Sequence, residues 1–194
     1  MRRFSAGSKL IMIPLLAAFI VLLPNCGRAP EEPAVSPTIP APQEELEVLE
    51  LPQQNTQIGI SLTAAPQELA VTYNGKHWME LTDKKRHSLR YTFIESVPDS
   101  PGLSPTSVQE FQTMISAYED GKILESGSVD TALGNADWSN GTYSEDGEVL
   151  DILTMFSAHP ADSRILILRS VCPTGLATVE ERLSVMQELL ANIS

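Results

Sequence analysis

Hydrophobic positions fall into three regimes along the chain. Residues 10–23 form a run of fourteen without a charge, closed by Pro24. Residues 27–57 carry no aromatic side chain and no sustained apolar period. From Leu69 the pattern becomes periodic: Leu69, Val71 and Tyr73 alternate with small or polar residues, Asn74-Gly75 supplies a tight turn, and residues 78–81 resume an apolar run, which predicts an opening hairpin. Leu89, Tyr91 and Phe93 alternate with polar neighbours as a half-buried strand does. Prolines 98, 101 and 105 then punctuate a loop; Ser104 is the expected cap of a helix with Pro105 in its first turn and Val108, Phe111, Ile115 and Tyr118 on one face, ending near Gly121. Further strands are predicted over 122–129, 138–143, 149–156 and 164–171. Asp146-Gly147 and the turn at 159–162 make the last three antiparallel neighbours. Residues 165–168 are apolar on both faces, as in a strand covered on both sides. Thr178 and Glu181 have capping-box spacing ahead of a closing helix striped by Val179, Leu183, Met186, Leu190 and Ile193. The predicted class is α+β, a mainly antiparallel sheet flanked by two helices.

The first regime is too short to be a comfortable membrane span. Fourteen residues of helix reach about 21 Å, against a hydrocarbon core of roughly 30 Å. With Arg2, Arg3 and Lys9 before it and a polar exit behind it, the segment fits a secretory signal peptide. A cysteine directly after such a core resembles the lipobox of bacterial lipoproteins, in which the thiol is acylated and its amine becomes the new N-terminus. Leu23 and Cys26 match that motif, whereas Pro24 and Asn25 depart from its usual small residues. The resemblance implies an acylated Cys26 that ties the protein to a bilayer. Gly27 stands where an Asp commonly retains such proteins at the inner membrane, so it also implies the outer membrane, facing the periplasm. The expected organisation is a signal peptide over 1–25, a lipidated cysteine and flexible linker over 26–57, and one folded domain over 58–194. The linker holds six prolines and a repeated Glu, a composition that cannot bury enough surface to offset its conformational entropy. At about 3.1 Å per residue it reaches on the order of 100 Å.

Charge sharpens this picture. The whole chain has 25 acidic and 13 basic residues, a net −12, and with the signal removed 25 acids face 10 bases. So acidic a chain has no electrostatic hold on nucleic acid or on anionic headgroups, which leaves the acyl chains to anchor it. With Cys26 modified, Cys172 has no partner for an internal disulfide; set between Val171 and Pro173 after an apolar strand, it is expected to be a buried small hydrophobe.

Thr131-Ala132-Leu133-Gly134-Asn135-Ala136-Asp137-Trp138 running into Gly141-Thr142-Tyr143, a strand ending near His159-Pro160, a strand of Ile and Leu, and a helix opening Thr178-Val179-Glu180-Glu181 resemble the PsbP/Mog1/DcrB-like group. The resemblance spans residues 68–194 and implies a small α/β/α sandwich that acts by binding proteins. It carries over no functional residue.

Motifs for chemistry are sparse. His77, His87 and His159 accompany no Gly-x-Ser-x-Gly elbow, and no glycine-rich phosphate loop occurs. No cofactor is expected. Asn135, Asp137, Ser139, Asp146 and Glu148 glance at a calcium loop, but position six is Asn140, and no Glu closes the loop. Lys84, Lys85 and Arg86, with Arg90, form the one basic cluster, suited to an acidic partner or, more simply, to blocking strand-edge association. Trp78, Trp138 and Tyr143 are the aromatics available to a binding patch. The expected role is a membrane-anchored cell-envelope lipoprotein that binds or assembles other envelope proteins without catalysis. A small-ligand binder, with a cavity of several hundred Å³, is the alternative. A hydrolase, with a histidine in hydrogen-bond reach of Ser or Cys, is third.

Overall fold

The computed structural model describes residues 47–96, 105–118 and 120–194. The signal segment, Cys26, most of the linker and the Ser104 cap lie outside them. In chain order the described elements are β1 (Gln53–Asn55), β2 (Ile60–Leu62), β3 (Leu69–Asn74), β4 (Trp78–Asp83), β5 (Arg90–Ile94), α1 (Val108–Ser116), β6 (Lys122–Thr131), β7 (Gly134–Glu145), β8 (Glu148–Ala158), β9 (Ile165–Pro173) and α2 (Val179–Ala191).

Seven strands form one sheet in the order β3-β4-β5-β9-β8-β7-β6, every neighbour antiparallel. The α+β class read from the pattern is the class observed. β9 lies in the middle of the sheet because its side chains are apolar on both faces. Leu166 and Leu168 join the core under α2, while Ile165, Ile167 and Val171 join the core under α1. The two helices therefore cover opposite faces. At the β7–β8 hairpin, Asp146 and Gly147 both take positive φ, 50° and 83°, as a two-residue primed turn requires.

α1 begins three residues later than the pattern placed it. Ser107, not Ser104, is the cap: its hydroxyl accepts from the Glu110 amide at 3.3 Å, and the Glu110 carboxylate reaches back to accept from the Thr106 amide at 2.8 Å. The Ser107-x-x-Glu110 spacing satisfies two amides at once, which Ser104 has no matching acid to do. Phe111 and Ile115 are fully buried against Ile152, Phe156 and Ile167, each worth about 1.5–3 kcal/mol relative to exposure. In α2, Thr178 caps as expected, but the buried face runs through Arg182, Met186, Leu189 and Leu190. Arg182 is hidden from a hydrophobic reading, yet its guanidinium donates to Asn140 Oδ1 at 2.9 Å inside the core.

Strand structure among the described residues begins before residue 58. β1, which falls in the span assigned to the linker, pairs with β2, and Leu49 donates its amide to Val71 O on the outer edge of β3 at 2.8 Å. Buried Asn55 anchors the entry: its Oδ1 accepts from the amides of Gln57 and Ile58, and its Nδ2 donates to Asn74 Oδ1 and Gly75 O. His159 Nε2 donates to Ile58 O at 2.9 Å while its Nδ1 accepts from the Ala161 amide, and Arg164 donates to the carbonyls of Gln57 and Ile58. On the other side, Ser61 and Ser194 exchange backbone hydrogen bonds of 2.8 and 3.1 Å.

Candidate functional site

A pair of half-exposed aromatic rings sits where β3 turns into β4. Strict alternation would point Tyr73 the same way as Leu69 and Val71. A bulge between Val71 and Tyr73 breaks the alternation: Val71 pairs with buried Leu81, but Tyr73 pairs with Glu80 on the opposite face. Trp78, two residues before Glu80, shares that face, and the two rings stack with centroids 5.1 Å apart and planes 24° from parallel. Gly75 makes this possible, because a Cβ there would overlap the Tyr73 phenol ring. Tyr73 and Trp78 remain 42% and 43% exposed while locked against each other.

The structure does not bring the other candidate aromatics to this corner. Trp138 is on β7, toward the opposite edge, with its ring laid over Gly127 and packed on the core under α2. Tyr143, also on β7, tilts against Tyr118 with centroids 5.0 Å apart and packs on the core under α1, where burial pushes its phenol up. No single patch holds all three.

The basic cluster is also elsewhere, at the far end of β4, about 17 Å from Trp78 at 3.3–3.4 Å per residue. Arg86 is committed to structure. It donates through Nε and Nη2 to buried Asp83 and pairs through Nη1 with Glu181 of α2 at 2.7 Å. Burial acts to raise the Asp83 carboxyl, but the amides of Arg86 and Lys85 and the guanidinium outweigh it and hold it below the usual range. Lys84 donates to Gln67 O at 2.8 Å. Lys85 is exposed.

The remaining chemistry is quiet. His77 Nδ1 lies 2.6 Å from the Glu95 carboxylate, His87 contacts Lys84 O, and His159 is the backbone staple already described. Among the described residues no histidine is hydrogen-bonded to a serine or cysteine. Cys172 is buried, and burial raises its thiol, as expected of a small hydrophobe. Asn135, Asp137 and Ser139 lie along β7, with Asp146 and Glu148 at its far end, so the oxygen-rich stretch makes no loop; no acid or histidine cluster suited to a metal occurs among the described residues. An open groove of about 750 Å³ follows α1 past Gln109, Thr113 and Tyr118, and a second cleft of about 380 Å³ lies between Arg90, Glu148 and Cys172.

One small cleft adjoins the aromatic corner. Gln54, Asn55, Thr56, Gln57, Asn74 and Lys76 line about 230 Å³, and Gly75, on which the Tyr73 ring lies, forms part of its wall. Sequence reasoning misses this cleft because four of its residues, Gln54, Asn55, Thr56 and Gln57, fall in the span expected to be linker, and it misses the aromatic partner of Trp78 because the bulge leaves no mark in the alternation.

No protein-family model matches the sequence, and no curated protein matches it. Among solved structures, the chain superposes on LpqN of Mycobacterium tuberculosis, described as involved in cell envelope biogenesis, with a TM-score of 0.41 and 9% identity over 70% of this chain and 82% of that one. A likeness at that score and identity carries no functional information. No helix among the described residues is long and apolar enough to cross a membrane.

Proposed function

We propose that this chain is a lipid-anchored protein of the bacterial cell envelope whose folded domain works by binding and assembly, without catalysis. Cys26 is the acylation site, the outer membrane facing the periplasm is its place, and the proline- and glutamate-rich segment sets its reach. One helix on each face of an antiparallel sheet is the layering that the PsbP/Mog1/DcrB-like resemblance implies.

The exposed Tyr73–Trp78 stack carries the binding half of this reading. Two large rings left in water forgo apolar burial, and tryptophan and tyrosine are the side chains most enriched where binding energy concentrates. Rings already fixed by a bulge, a glycine and each other lose little entropy when a partner covers them.

The test uses the full chain in crosslinked cells. Wild type is expected to pellet with membranes and to retain a specific envelope component; Cys26→Ser moves it to the soluble fraction, and Trp78→Ala loses the component while still pelleting. A Cys26→Ser protein that pellets as before, or a retained set unchanged by Trp78→Ala, overturns the reading.

A further inference from the structure

We infer that the Tyr73–Trp78 stack and the cleft beside it form a carbohydrate subsite that takes one pyranose ring of an envelope glycan; this rests on the reading of that corner as the binding surface. A pyranose ring has an apolar C–H face and a rim of hydroxyls, and the corner offers a counterpart to each. The stacked rings supply a half-exposed aromatic surface, held by their mutual stacking and by the Tyr73 ring lying on Gly75.

The cleft supplies the rim. Its floor is a closed amide network: Asn55 Nδ2 donates to Asn74 Oδ1 at 2.9 Å, and Asn74 Nδ2 donates to Gln53 Oε1 at 2.9 Å and Gln54 O at 3.1 Å. Gln57 is steadied by donating from Nε2 to Glu95 Oε1 at 3.1 Å, and that carboxylate also meets His77. These bonds leave hydrogen-bonding groups to spare. A carboxamide offers two N–H donors and an acceptor with two lone pairs, so Gln57 keeps its carbonyl and one N–H. The Gln54 carboxamide and the Thr56 hydroxyl make no side-chain hydrogen bond to the described residues.

Neutral donors and acceptors side by side, with exposed Lys76 the one charged group on the lining, match adjacent hydroxyls or an acetamido group. They match a cation poorly, since no carboxylate lines the cleft, and an apolar protein hot spot equally poorly, since no apolar side chain lines it among the described residues. At about 230 Å³ the cleft falls below the roughly 300–1,000 Å³ of drug-sized sites and suits one ring of a polymer whose other units lie outside. The twenty residues between Cys26 and Glu47, which at about 3.1 Å each reach about 60 Å, would let the corner meet a polymer fixed away from the membrane.

The probes are chitotetraose and cellotetraose, titrated into the 15N-labelled full chain in detergent while the two tryptophan indole signals and the side-chain amides are followed. Saturable shifts of the Trp78 indole and the Gln54 and Gln57 amides are expected, with the Trp138 indole still. A response to both sugars assigns the site to pyranoses at large, and a response to chitotetraose alone narrows it to N-acetylhexosamine. Trp78→Ala should weaken binding at least tenfold, and Gln57→Ala, which leaves the aromatic stack intact, several-fold. No shift with either sugar up to solubility, or titrations unchanged in both variants, overturns the carbohydrate assignment. If Trp78-dependent retention of an envelope protein persists while both sugars are silent, the binding-module reading stands and the occupant of the corner is a protein.

Discussion

The two ends of β4 solve the same problem in opposite ways. At its start Trp78 is held by another ring and left in water; at its end Asp83 is held by two amides and a guanidinium and is buried. The far end spends its polar groups inside the fold, because Arg86 links the β4–β5 turn to Glu181 in the first turn of α2. The near end spends its rings on nothing within the chain. The charged cluster is thus largely taken up by contacts within the chain, whereas the two rings are not.

Removing Asp83 should give the largest effect. Asp83→Ala is expected to cost about 2–4 kcal/mol, measured by urea denaturation, since it strips two amides and a guanidinium of their acceptor at once. The same carboxyl sets an acid limit. Because its folded pKa lies below the ordinary 3.8, its contribution is complete above that value and is lost as pH falls through the lower folded one. Asp83→Asn should therefore lower stability at neutral pH and flatten the acid limb of a stability–pH curve; an unchanged limb would mean that the Asp83–Arg86 pair is idle. At the other end, Gly75→Ala should cost about 1 kcal/mol or less yet displace the Tyr73 ring, seen as loss of ring-current shifts on the Trp78 indole. Lys85→Ala should stay within about 0.5 kcal/mol and leave the Trp78-dependent retention intact, since Lys85 is a solvated turn residue.

What the pattern revealed and what it hid follow from where each signal resides. β9 was legible as the covered strand because its apolar run needs no partner to be recognised, and Thr178 was legible as a cap because capping is a local bargain among four residues. Arg182 was not, since a long charged side chain enters the core only when Asn140, 42 residues away, is there to receive it. Tyr73 was placed on the wrong face because a bulge is decided by the partner strand. β1 reads as linker because proline density up to Pro52 conceals that Asn55 is already bonded and buried. The candidate corner inherits the last two of these blind spots. Its members come from two segments that only the folded chain sets side by side.

The exchange of hydrogen bonds between Ser61 and Ser194 has a consequence for timing. Any machinery that feeds the chain out with its N-terminus leading, whether a ribosome or an export pore, delivers the entry hairpin well before its clasp. Until Ser194 arrives, the hairpin lacks these bonds, and its final docking waits until residue 194 has been threaded.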